Sequence, residues 1–147
     1  MRLTGGCQCG AVRFACEGLG RASVCHCRMC QKAFGNLFAP LVRALGLVWT
    51  RGEPKRFRSS SVAQRGFCAA CGTPLTYEYD GADAWLAIGA FDDPAAITPG
   101  LQVGLQHKLP WCDSLPALPV RPPEQAAEAA RRHAAILSFQ HPDHDTP

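Results

Sequence analysis

The sequence predicts a mainly β domain of short antiparallel strands, closed by one helix near the C-terminus. Three observations carry this. Short apolar or alternating runs recur over the first three quarters of the chain, Gly and Pro turn signals separate them, and an alanine-rich stretch follows Pro122-Pro123.

Each element follows from its pattern. Ala11 to Cys16 alternates, with Val12, Phe14 and Cys16 on one face and Arg13 on the other. Leu37 to Val42, Gly46 to Thr50, Lys55 to Ser59 and Val62 to Phe67 read as further strands. Leu75 to Tyr79 alternates again, setting Leu75, Tyr77 and Tyr79 against Thr76 and Glu78. Trp85 to Ile88 and Leu101 to Leu105 complete the set. Turns are marked at Arg51-Gly52-Glu53-Pro54, Cys71-Gly72-Thr73-Pro74, Asp80-Gly81 and Thr98-Pro99-Gly100. Arg28 to Phe34 predicts a short helical segment. Glu124 to Phe139 predicts the long one, since proline favours a helix start and Ala126, Ala129, Ala130, His133 and Leu137 form one stripe. Residues 140–147 read as a frayed tail.

Composition narrows the function classes. A chain of 147 residues suits one domain with a real core. Its +3 charge, from 15 Lys and Arg against 12 Asp and Glu, is small and scattered. That argues against nucleic acid as a partner. The dense basic stretch, Lys55 to Arg58, reads first as a solvated face. No apolar run approaches signal-peptide or membrane-span length, so we expect a cytoplasmic protein without membrane contact. In that reducing compartment thiols stay free, and nine cysteines need a purpose.

Seven of the nine fall into three groups: Cys7 and Cys9, Cys25, Cys27 and Cys30, and Cys68 and Cys71. Zinc takes four ligands in a tetrahedron, and thiolates two or three positions apart on a tight turn chelate one ion from one loop. Cys68-x-x-Cys71-Gly72 and Cys7-x-Cys9-Gly10 each fit such a knuckle, and two plus two fill one closed structural site. Cys25, Cys27 and Cys30 leave a corner open, the arrangement zinc enzymes use to admit water or substrate. Three rivals stand beside this reading: a redox CxxC pair, disulfides, and a second structural zinc closed by His26 or a distant residue. His26, squeezed between two ligands, is expected to point away from their metal. Cys16 and Cys112 read as buried structural thiols, and His133 as a helix-packing residue.

The motifs Gly5 to Val12 (GGCQCGAV), Cys25 to Lys32 (CHCRMCQK), Arg65 to Leu75 (RGFCAACGTPL) and Leu109 to Trp111 (LPW) resemble the glutathione-dependent formaldehyde-activating enzyme family. Centromere protein V belongs to it too. The resemblance runs from about Gly5 to Pro116. It implies a β-tent of short antiparallel sheets around a structural zinc, which we assign to residues 1–121; the residue pattern beyond it is expected to give a helix over 122–139 packed on that domain and a tail over 140–147. It places structural ligands on Cys7, Cys9, Cys68 and Cys71 and a catalytic zinc on Cys25, Cys27 and Cys30, two zinc ions in all. It sets Gln31, Phe34 and Trp111 beside the catalytic metal as substrate-binding residues. The implied activity is reversible addition of glutathione to formaldehyde, giving S-(hydroxymethyl)glutathione, a carbon–sulfur lyase reaction with a small thiol and an aldehyde as partners. Arg28, Lys32 or Lys55 to Arg58 would receive the thiol's carboxylates. The pocket rim departs from the family pattern: Gln102 stands where many members have His, and His107 where they have Ser. The alternative from another class is a zinc-stabilised binding module, or a glutathione carrier, without chemistry.

Overall fold

In a computed structural model, which describes residues 2–147, ten strands form two sheets around one core. β1 (Leu3–Gly6), β2 (Arg13–Cys16) and β5 (Val48–Arg51) make a three-stranded antiparallel sheet in the order β1-β2-β5. β3 (Gly18–Cys25), β4 (Ala39–Leu45), β6 (Lys55–Arg58), β7 (Ala63–Phe67), β8 (Pro74–Tyr79), β9 (Trp85–Ala87) and β10 (Gln102–Val103) make a seven-stranded sheet in the order β10-β3-β4-β9-β8-β7-β6. The expected mainly β architecture of small antiparallel sheets with a C-terminal helix is what the chain adopts. One pair departs from it: β10 runs parallel to β3, with Gln102 opposite Val24 and Val103 opposite Cys25.

The two sheets meet over Phe14, Leu75, Leu86, Val42 and Val12, all buried. Phe14 is fully enclosed, its ring edge-on to Phe91 at 5.0 Å and to Trp49 at 6.0 Å. Phe14→Ala removes those contacts and leaves a void that the sheets are too rigid to fill. It should cost about 3–5 kcal/mol, read as a lower denaturant midpoint at unchanged slope. Gly5 is required by close approach, because a Cβ there would lie 2.3 Å from the Ala90 carbonyl oxygen and 2.5 Å from the Phe14 ring.

Arg13 is not on a solvated face, as simple alternation suggests, but buried. Its guanidinium donates to Asp92 Oδ1 at 2.8 Å and Oδ2 at 2.6 Å, and Thr4 adds a hydroxyl to the same carboxylate at 2.6 Å. Burial works against the Asp92 carboxylate, but the Arg13 and Thr4 hydrogen bonds outweigh it and hold its pKa below the ordinary value of 3.8. A depressed carboxylate contributes stability that is complete above the unfolded value and is lost as pH falls through the folded one. Asp92→Asn should therefore destabilise the fold at neutral pH by about 1–3 kcal/mol, leaving buried Arg13 with the half-exposed Asp145 as its remaining carboxylate, and with a shallower acid-side slope in a stability-versus-pH series.

Two C-terminal expectations need correction. The long helix, α2, runs Pro123–Ala134 and none of its residues is buried. Its stripe is mostly alanine, which offers too little apolar area to hold it on the sheets. The segment 140–147 does not fray. His141 N–H donates to the Gln8 carbonyl at 2.7 Å, Asp145 meets Arg13 at 2.8 Å, and Thr146 and Pro147 carbonyls accept from Arg51 at 2.7 and 3.0 Å. Among the described residues, no helix is long and apolar enough to cross a membrane.

Candidate metal centres

Two groups of sulfurs stand out, each with its Sγ atoms within 4.8 Å of one another: Cys7, Cys9, Cys68 and Cys71, and Cys25, Cys27 and Cys30. All nine cysteines are free thiols.

The four-cysteine group joins the two sheets. Cys7 and Cys9 lie on the turn after β1, which closes through Cys7 N–H to the Val12 carbonyl at 2.9 Å and Gly10 N–H to the Cys7 carbonyl at 3.1 Å. Cys68 and Cys71 lie on the turn between β7 and β8, closed by Gly72 N–H to the Cys68 carbonyl at 2.8 Å. Gly10 and Gly72 sit at φ 76° and 80°, left-handed backbone that a side chain would strain. The Cys7–Cys9 and Cys9–Cys68 sulfurs are 3.6 and 3.9 Å apart. Zinc–sulfur bonds of about 2.3 Å require tetrahedron edges of about 3.8 Å, so the donors fit such an ion. Burial pushes the Cys7 thiol up to about 12, against the Val12 N–H. At Cys71 burial is outweighed by the Thr73 hydroxyl and N–H, and the thiol drops to about 6.

The three-cysteine group is built by the end of β3 and helix α1 (Arg28–Phe34). Cys27 is the helix N-cap, its sulfur accepting from Cys30 N–H at 3.4 Å. Gly35, in left-handed backbone at φ 57°, ends the helix. Burial pushes Cys30 up to about 12 despite the Arg65 guanidinium, whose Nη2 donates to its sulfur at 3.3 Å. Burial also opposes ionisation of Cys27, but the Cys30 N–H, the neighbouring thiols and Arg65 outweigh it and lower its pKa. Cys25 is raised, mainly by burial. These three thiols line a cavity of about 240 Å³ with Arg21, Ser23, Met29, Leu41, Arg65, Tyr77, Trp85 and Val103.

His26 is buried and outside the sulfur group, its Nε2 paired with Gln102 Oε1 at 3.0 Å and its ring against Phe38. Gln31 does not face the cavity. Its buried amide nitrogen donates to the carbonyls of His26 at 2.7 Å and His107 at 2.9 Å, tying the thiol loop to the 102–107 segment. Phe34 lines a separate cavity of about 370 Å³ on the other side of Arg65, with Phe57 and Phe67. Trp111 is half exposed in the helical segment Pro110–Ala117 and is not among the residues that line the thiol cavity.

Three residues that sequence reasoning passed over complete the site. Arg65 has its Nε on Ser59 Oγ at 2.9 Å and its guanidinium over the Tyr77 ring at 5.0 Å. Gly104, at φ 68°, backs directly onto Cys27, where a Cβ would come within 2.9 Å of the Cys27 nitrogen. Arg21 stands over the Trp85 ring at 5.4 Å. The one signal available for Arg65 was its place three residues before Cys68; Gly104 and Arg21 carry none.

A family model described as glutathione-dependent formaldehyde-activating enzyme matches residues 2–106. That span holds all seven clustered cysteines and stops short of Trp111. The crystal structure of a Rhodobacter sphaeroides protein is similar in fold, with a TM-score of 0.54 at 22% identity, covering 68% of this chain and 99% of that one. No curated protein matches the chain. With a match over most of its length, the chain belongs to the glutathione-dependent formaldehyde-activating enzyme family.

Proposed function

We propose that the chain is a carbon–sulfur lyase that joins and separates a thiol and a small aldehyde, with glutathione and formaldehyde as the reference pair. One observation carries this reading: three thiols, Cys25, Cys27 and Cys30, converge in the wall of a cavity with no fourth protein donor among the described residues. These three would hold a catalytic zinc, and Cys7, Cys9, Cys68 and Cys71 a structural one. A zinc so held supplies a Lewis-acidic position that favours the thiolate form of an incoming thiol.

The chain's own residues prepare the rest. Arg65, nearly fully buried, sets one positive charge against Cys30 and so offsets the accumulation of thiolate charge. Leu41, Tyr77, Trp85, Met29 and Val103 give the cavity apolar walls beside the three thiols, against which the reacting carbon can pack. Gln31 and Gly104 fix the loop on which Cys27 sits. Carbon–sulfur bond formation then needs only a thiolate beside a carbonyl: the sulfur lone pair attacks carbon, the carbonyl pair moves to oxygen, and a proton from solvent completes the hydroxymethyl group.

The test is exchange spectroscopy by NMR of glutathione, formaldehyde and their adduct at equilibrium. Zinc-loaded protein should speed the interconversion above the spontaneous rate. An unchanged exchange rate with both clusters loaded would remove the reading.

A further inference from the structure

Resting on the lyase reading, we infer that Arg21 is the specificity-determining residue that receives a carboxylate of the thiol substrate, so that the site selects anionic over uncharged thiols.

The basic positions that the sequence offers for this task are committed or distant. Arg28 donates to Gln31 Oε1, Arg56 pairs with Glu78 at 2.9 Å, and Arg58 pairs with Asp80 at 2.7 Å. Lys32 and Lys55 do not line the thiol cavity. Two arginines do, and Arg65 is nearly fully buried with its guanidinium on Cys30 and Ser59. Arg21 is the other. It is exposed and has no ion-pair partner among the described residues.

Strand geometry then fixes its distance from the chemistry. Arg21, Ser23 and Cys25 alternate along β3 and all three line the cavity. Four residues of β3 put the Cα of Arg21 no more than about 13 Å from that of Cys25, with Arg21 itself in the register shift between Leu19 and Ala22. An arginine at that spacing reaches back over the cavity mouth toward a group several bonds from the substrate sulfur. The guanidinium lies over the Trp85 ring with Cζ 5.4 Å from its centroid, a cation–π contact that holds the charge at the cavity. The cavity of about 240 Å³ admits the thiol end and the aldehyde, leaving the charged part of a larger thiol at the rim where Arg21 stands.

The experiment is titration calorimetry on zinc-loaded protein with glutathione and with glutathione diethyl ester, whose sulfur is the same and whose carboxylates are masked. Wild type should bind glutathione about tenfold or more tightly than the ester, the scale of one charge-assisted hydrogen-bonded pair. Arg21→Ala should erase that preference, Arg21→Glu should reverse it, and Arg21→Lys should keep part of it. A preference that survives in Arg21→Ala overturns the assignment while leaving the lyase reading intact. Failure of wild type to bind either compound overturns both.

Discussion

Cys68→Ser is expected to give a chain that does not reach the native fold under conditions where the wild type is fully folded. Cys68 is 1% exposed, and its sulfur lies 3.9 Å from Cys9 across the junction of the two sheets. A structural zinc, if the four-cysteine cluster holds one as proposed, would contribute on the scale of the apparent 10–16 kcal/mol seen in small peptide systems, whereas a whole domain has roughly 5–15 kcal/mol of net stability. Losing one ligand removes most of the first quantity and so exhausts the second. Far-UV circular dichroism melts and metal-to-protein ratios read this directly. A variant that melts within a few degrees of wild type and keeps its full metal content would refute the structural role of this cluster.

The opposite separation is expected at Cys27→Ser. The native sulfur caps helix α1 by accepting from Cys30 N–H at 3.4 Å, and a serine hydroxyl caps a helix at least as well. The fold should therefore persist with little change in melting temperature. Turnover of the thiol adduct should drop by at least about 100-fold, since losing even an outer partner of a metal site costs up to that much. The pair of variants distinguishes the two clusters: one loses folding, the other loses chemistry. Retention of full turnover by Cys27→Ser, with the fold intact, would end the lyase proposal.

The partition of the cysteines was legible before any coordinates, because ligand spacing is local and each knuckle carries its own glycine. Helix α1 was readable for the same reason, down to its limits at Arg28 and Phe34. Strands β1 and β3 escaped notice. Leu3–Gly6 is half glycine, and Gly18–Cys25 carries two glycines, an alanine and a serine with a register shift near Arg21, so neither shows clean alternation. Both owe their strand conformation to their neighbours. The basic run Lys55 to Arg58 looked available for substrate, yet its two arginines are paired with Glu78 of β8 and Asp80 of the turn beyond. That pairing depends on sheet register, which local composition does not encode. Arg21 had the opposite fate: isolated in sequence, it gains meaning from its place on β3 above Cys25 and from Trp85, which lies more than sixty positions away. The helix α2 was found from its proline start but credited with packing that an alanine stripe does not earn.

Both ends of the described chain lie against the same sheet. Arg2 comes within 3.9 Å of Asp145, and residues 141–147 lie along the turn after β1 and beside Arg51 of β5, while the thiol cavity is walled by the larger sheet and α1. A label or tether placed on residues 141–147 would therefore sit beside the smaller sheet and touch none of the residues that line the thiol cavity.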